Sequence, residues 1–171
     1  GRTISFRVDG ETRTYSKKEV VHVRLQKQRR WADAETVSDI EDELLHDALD
    51  VDVDSFRRSG AGAVTLLDRR TVTLHSDATW TARRRTIVRI LNEHGQSETI
   101  RDIRFDREAE AARILHGLSI RPDGSLVHLR DTAVQTEFPH QEYPRYNRTV
   151  VRRFALPEGK PGTTLDAAYE V

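Results

Sequence analysis

From residue 63 to residue 171 the chain alternates apolar and polar side chains in short runs separated by turn residues, and this period of two constrains the fold more than any other feature. Successive side chains of a strand point to opposite faces, so such runs suit sheets with one buried face and give a helix no continuous apolar stripe. The runs lie at 63–74, 80–91, 97–105, 114–120, 126–130, 149–156 and 164–171. "NEHG" (92–95) and "PDGS" (122–125) join neighbouring runs, each with a Gly where a type I turn needs a left-handed residue. Pro122 fixes φ at the start of the second turn, and Asp123 can accept from the local backbone.

In the last run Leu165, Ala167, Tyr169 and Val171 share one side, while Thr164, Asp166, Ala168 and Glu170 share the other, which is expected to be wet. Thr86, Val88 and Ile90 oppose Arg85 and Arg89, but Ile87 and Leu91 make the end of that run apolar on both sides, as in a central strand. Parity breaks between Ile100 and Ile103, which predicts a bulge or a strand start. Many antiparallel strands at this spacing predict a mainly β fold, an antiparallel β-sandwich rather than a barrel.

The first 60 residues follow other patterns. Ile4, Phe6 and Val8 alternate, Asp9-Gly10 is a hairpin signal, and Val21, Val23 and Leu25 alternate again. Residues 3–25 therefore read as three short strands, a small β unit spanning 1–30 that resembles a fragment of a barrel. "DAETVSDIEDELLHDALD" (33–50) repeats Val37, Ile40, Leu44 and Ala48 at three- and four-residue spacing, which predicts one helix with an acidic outer face. Acidic residues also crowd its end, against the helix dipole, so packing must stabilise it. "RRSGAGA" (57–63) reads as a linker, so 31–60 is helix and linker, and the sandwich domain runs over 61–171.

Lys+Arg 28 against Asp+Glu 28 leaves no net charge, which removes the long-range field of a general nucleic-acid or anionic-membrane binder. With no cysteine the chain holds no disulfide, thiolate metal site or cysteine nucleophile. No apolar run approaches the roughly 20 residues that span a bilayer, so no membrane insertion by this segment is expected.

Catalytic constellations are hard to find. His22, His46, His75, His94, His116, His128 and His140 form no HExxH and no i, i+4 pair. His116 alternates with Ile114, Leu118 and Ile120 and so should face the interior as a satisfied core histidine, whereas His94 reads as a solvated turn residue. There is no G-x-S-x-G, and the Gly-rich "RSGAG" lacks the context of a nucleophile elbow or phosphate loop. Arg83, Arg84, Arg85 and Arg89 with Trp80 could meet phosphates and stack on a base, although a solvated sheet face suits a neutral chain better. "EFPHQEYPRYNR" (137–148) sets Phe138, Tyr143 and Tyr146 on a proline-stiffened loop, a candidate binding edge, unless the rings plug one end of the sandwich.

The residues from "VTLLDRRTVTLHSDATWTARRRTIVRILNEHG" through "LSIRPDGSLVHLRDTAV" to "YPRYNRTVVRRFALPEGKPGTTLDAAYEV" resemble a bacterial domain of unknown function that precedes transglutaminase-like cores. The likeness spans roughly residues 61–171 and rests on the "ILNEHG" and "RPDG" turns, Asp131, Tyr146 and the "LPEGKPG" connection in that order. It implies a non-catalytic β-sandwich, exported to the periplasm or the outside of the cell. The Cys-His-Asp machinery would lie in a domain outside this chain, the partner would be that transglutaminase-like domain or another protein, and neither cofactor nor nucleic acid would be bound. Ala78 stands where the pattern usually has Gly, which puts the "HSDAT" turn in question. The resemblance also implies further strands beyond Val171, so a truncated sandwich is expected. Two rival readings are a standalone metal-dependent hydrolase built on histidines and a single-strand nucleic-acid-binding module.

Overall fold

Strands form where the alternation lies. In the computed structural model, which describes residues 3–8, 11–16, 31–139 and 148–171, β1 (Thr3–Val8) and β2 (Glu11–Ser16) make an antiparallel hairpin. The expected Asp9-Gly10 turn and the third strand at Val21, Val23 and Leu25 lie outside the described residues. The sandwich comprises β3 (Ala63–Leu74), β4 (Trp80–Ile90), β5 (Ile100–Asp106), β6 (Arg113–Ile120), β7 (Leu126–His128), β8 (Val134–Glu137), β9 (Thr149–Ala155) and β10 (Thr164–Glu170). A five-stranded sheet in the order β3-β4-β10-β6-β7 faces a three-stranded sheet in the order β5-β9-β8, and every pairing is antiparallel. Short β8 was hidden by its weak apolar content, and the break expected before Ile103 is the start of β5.

Two cores use the two faces of the larger sheet. Between the sheets, Phe154, Ile103, Ile90, Leu165, Leu156 and Ala167 interlock. On the opposite face Ile87, Leu118 and Ile120 receive Ala34, Ile40, Leu45 and Ala48 from the segment at 31–50. That segment makes the molecule three layers deep. The side of β10 expected to be wet is covered, with Thr164 and Asp166 both buried.

The predicted helix over 33–50 is replaced by a 3-10 turn, Val37–Asp39, and helix α1, Glu43–Leu49, followed by α2, Asp54–Arg58. Polar capping cuts the run: Asp39 accepts from the Thr36 N–H at 3.1 Å, and Asp42, the N-cap of α1, accepts from the Leu45 N–H at 2.8 Å. The cut rotates the apolar face, so Leu45 is buried and Leu44 is 37% exposed. Backbone bonds Val37 N–H to Gly124 O and Leu126 N–H to Glu35 O, both 2.9 Å, fasten the segment beside β7.

Three other local expectations meet different outcomes. Gly124 takes φ +82° as its turn requires, but Gly95 does not turn left-handed. It lies in a 3-10 helix, Glu93–Thr99, and is glycine because a Cβ would sit 2.1 Å from the Gly62 carbonyl oxygen. The β6–β10 register shifts between Ala168 and Tyr169, so Ile114 turns to the inter-sheet core while His116 joins Leu118 and Ile120 on the other face. Ala78 keeps the left-handed turn, at φ +64°. Because this conformation costs an L residue about 1–2 kcal/mol and glycine returns part of that as chain entropy, Ala78→Gly is expected to raise stability by about 0.5–1 kcal/mol in urea unfolding.

Candidate functional site

The most polar buried place lies under the segment at 31–50. β10 points Asp166, fully buried, at that layer, and Arg85 on β4 and His116 on β6, both register partners of Ala168, reach it diagonally. Arg85 donates Nε and one terminal nitrogen to the two Asp166 oxygens at 3.1 and 2.8 Å, and its other nitrogen to Asp42 at 2.8 and 3.0 Å. His116 Nε2 donates to Asp166 at 3.0 Å, Trp31 stacks on the imidazole at 4.2 Å, and the Arg85 guanidinium lies 5.0 Å from the Trp31 ring centre. Arg89 extends the network, donating to Thr164 Oγ1 at 3.0 Å and the Leu49 carbonyl at 2.9 Å.

These groups are spent on each other. The guanidinium fills the space between Asp42 and Asp166 where a cation would sit, and Trp31 covers the ring of the His–Asp pair. Among the described residues no three metal-ligating side chains gather into a site. Burial alone pushes the Asp166 carboxyl up, but the hydrogen bonds and charges of His116 and Arg85 together outweigh it and hold the group below the ordinary carboxylate range. An acid depressed in the folded state contributes stability above its unfolded pKa and loses it as pH falls through the folded value. Stability is therefore expected to fall from about pH 4 downward, and Asp166→Asn to flatten that part of the profile, as read from urea midpoints against pH.

Three other histidines are bonded singly. His46 Nε2 donates to the Ile40 carbonyl at 2.8 Å and His128 Nε2 to the Ala34 carbonyl at 2.7 Å, while His75 bonds Thr81 at 2.9 Å. His94 is exposed, as a turn residue should be. His22 and His140 lie outside the described residues, as do Tyr143 and Tyr146. Of the aromatic candidates only Phe138 is described: it is half-buried beyond β8, with the Arg107 guanidinium 6.0 Å from its ring centre. The Arg83–Arg85 run is split by the pleat. Arg84 pairs with Asp68 at 2.8 Å on the inter-sheet side, and Arg85 is sequestered on the other with 11% of its side chain exposed.

The open surface lies elsewhere. β10 pairs with β4 as far as Ala82, where Val171 closes two backbone bonds, and the rest of the β3–β4 hairpin is a two-stranded arm among the described residues. Leu74 faces Trp80 and Val72 faces Ala82 across it, and Val72, Leu74 and Trp80 are 59%, 76% and 47% exposed on one side. Between the arm and β5 lies a cleft of about 580 Å³, lined by Arg70, Trp80, Arg84, Ile103, Arg104 and Tyr169 among others. A second hollow of about 240 Å³ shares Asp68, Arg84 and Tyr169 with it. Cations, rings and apolar side chains on an open surface suit recognition.

Residues 76–171, more than half of the chain, match the family model of a domain of unknown function with solved structure, DUF3857. The chain belongs to the DUF3857 family. The match begins at the tip of the arm and includes every strand from β4 onward, so the DUF3857 region supplies most of both sheets. No curated protein matches the chain. A solved structure similar to this DUF3857 chain is that of a "putative protease" from Parabacteroides distasonis, with a TM-score of 0.60 at 18% identity over 64% of this chain. The likeness shows a shared fold, and the chain spans 22% of that protein's length.

Proposed function

We propose that this DUF3857 chain is a non-catalytic accessory module that binds a protein partner, a transglutaminase-like domain of the same protein or of another chain. The carrying observation is the apolar strip of Val72, Leu74 and Trp80 on one side of the β3–β4 hairpin, solvent-facing among the described residues. Its buried ionisable groups are mutually satisfied, which leaves surface contact as the chemistry at hand. The likeness to a small part of a much longer protein described as a protease supports a role beside a catalytic domain. An exported location rests on the sequence resemblance alone.

The test mixes the chain with the separately expressed transglutaminase-like domain of its own protein or gene neighbourhood and measures association calorimetrically. Binding that weakens at least about tenfold in a Val72→Ser, Leu74→Ser double variant is expected, with peptide-bond chemistry confined to the other domain. Stoichiometric zinc lost on histidine replacement, together with hydrolysis by this chain alone, would overturn the reading.

A further inference from the structure

We propose that the cleft between the β3–β4 arm and β5 takes an extended, acidic peptide segment of a protein partner, added as a strand along the free edge of β5. This rests on the reading of the chain as a protein-binding module and specifies what is bound. Among the described residues β5 is the terminal strand of the smaller sheet and β3 that of the larger, so both strands bounding the opening are sheet edges. β5 pairs with β9 over Ile100–Asp106 without a register break, and on its other side the backbone groups of Asp102 and Arg104 stay open among the described residues, while those of Ile100 and Asp106 are taken by Ser97, Arg101, Ala109 and Glu110. Next to these groups Ile103 and Tyr169 supply an apolar floor and Trp80 a wall.

Charge decides the kind of segment. The lining holds four arginines against two carboxylates. Asp68 is engaged by Arg84, and Glu110 accepts from the Asp106 N–H at 2.8 Å. Arg70 and Arg104 line the same space and make no ion pair among the described residues, while the pleat turns the side chain of Arg83 to the face that Arg85 occupies. A chain with no net charge thus concentrates unpaired cations at one opening, which favours an acidic partner by complementarity. A single-stranded nucleic acid could use the arginines and Trp80 but would leave the open backbone groups of β5 unmatched.

The test uses the full chain and four labelled probes: end-capped peptides of about eight residues alternating Glu with Val, the same with Lys for Glu, the Glu peptide N-methylated at alternate backbone nitrogens, and oligothymidylate. Fluorescence anisotropy is expected to show the Glu peptide binding at least about tenfold more tightly than the Lys peptide, less tightly as salt rises, and not at all when N-methylated. Binding should slow amide exchange at Asp102 and Arg104, whose N–H groups face the free edge. Arg70→Glu with Arg104→Glu, both at exposed positions, should weaken it at least about tenfold, and the two lysine replacements should retain it. Equal binding of the Lys or N-methylated peptide, unchanged exchange in β5, no binding of the Glu peptide, preferential binding of oligothymidylate, or self-association through β5 that excludes the peptide would each overturn the proposal. The Val72→Ser, Leu74→Ser variant separates the two claims, since neither residue lines the cleft. Peptide binding without partner-domain association removes only the accessory role, and association without peptide binding removes only this inference.

Discussion

Arg85→Ala is expected to lower the free energy of unfolding by about 3–5 kcal/mol, whereas Arg84→Ala, one residue away, is expected to cost under about 1 kcal/mol. The pleat sets this contrast. Arg84 shares an exposed bidentate pair with Asp68, each side chain 46% exposed, where water competes for both partners. Arg85 neutralises Asp166, which has no access to water, and also holds Asp42 and lies over Trp31. Its removal leaves a buried carboxylate with His116 as its one remaining side-chain partner and opens a hole under the outer layer. Urea unfolding of both variants measures the difference. The size of the loss does not mean that the ion pair stabilises the fold against an apolar alternative. Asp166→Leu combined with Arg85→Met should recover most of it, since an apolar pair of similar volume requires no desolvation of charge.

Leu45→Ala is expected to cost about 2–5 kcal/mol and Leu44→Ala less than about 1 kcal/mol. Leu45 is fully buried against the sheet in the core it shares with Ile87, Leu118 and Ile120, so truncation leaves a cavity between two rigid layers. Leu44 lies on the partly exposed side of the same helix and is half relieved of contacts already. The spacing of the apolar residues in 33–50 points to Leu44 as the buried one, so this pair of variants separates a continuous helix from the capped, broken one.

The strands were legible because a two-residue period survives single irregularities: β3 was readable from its alternation to both ends, and β4, β6, β9 and β10 to within a residue. What covers a face was not. The polar parity of Thr164, Asp166 and Ala168 identifies a side of β10 and is silent on whether water or another layer meets it. The cluster itself joins residues 43, 81 and 50 positions apart in sequence, a separation that local periodicity cannot register. The helix failed as a unit because Thr36, Asp39 and Asp42 satisfy backbone N–H groups locally, and apolar spacing ignores such competition. The aromatic loop drew attention through Phe138, Tyr143 and Tyr146, while the cleft depends on β5 and β3 both being edges, which only the topology reveals.

The account turns on the segment at 31–58 being a third layer of the sandwich, pinned by the Asp166 cluster, so that recognition is left to the arm and cleft. Residue-resolved amide hydrogen exchange tests this directly by comparing His46 and Asp50 of the α1 turn with the amides of β10, in the native chain and in Arg85→Ala. A shared opening free energy that falls together in the variant is the predicted result. Rapid exchange in α1 beside protected β10 amides that do not respond to the variant would contradict it.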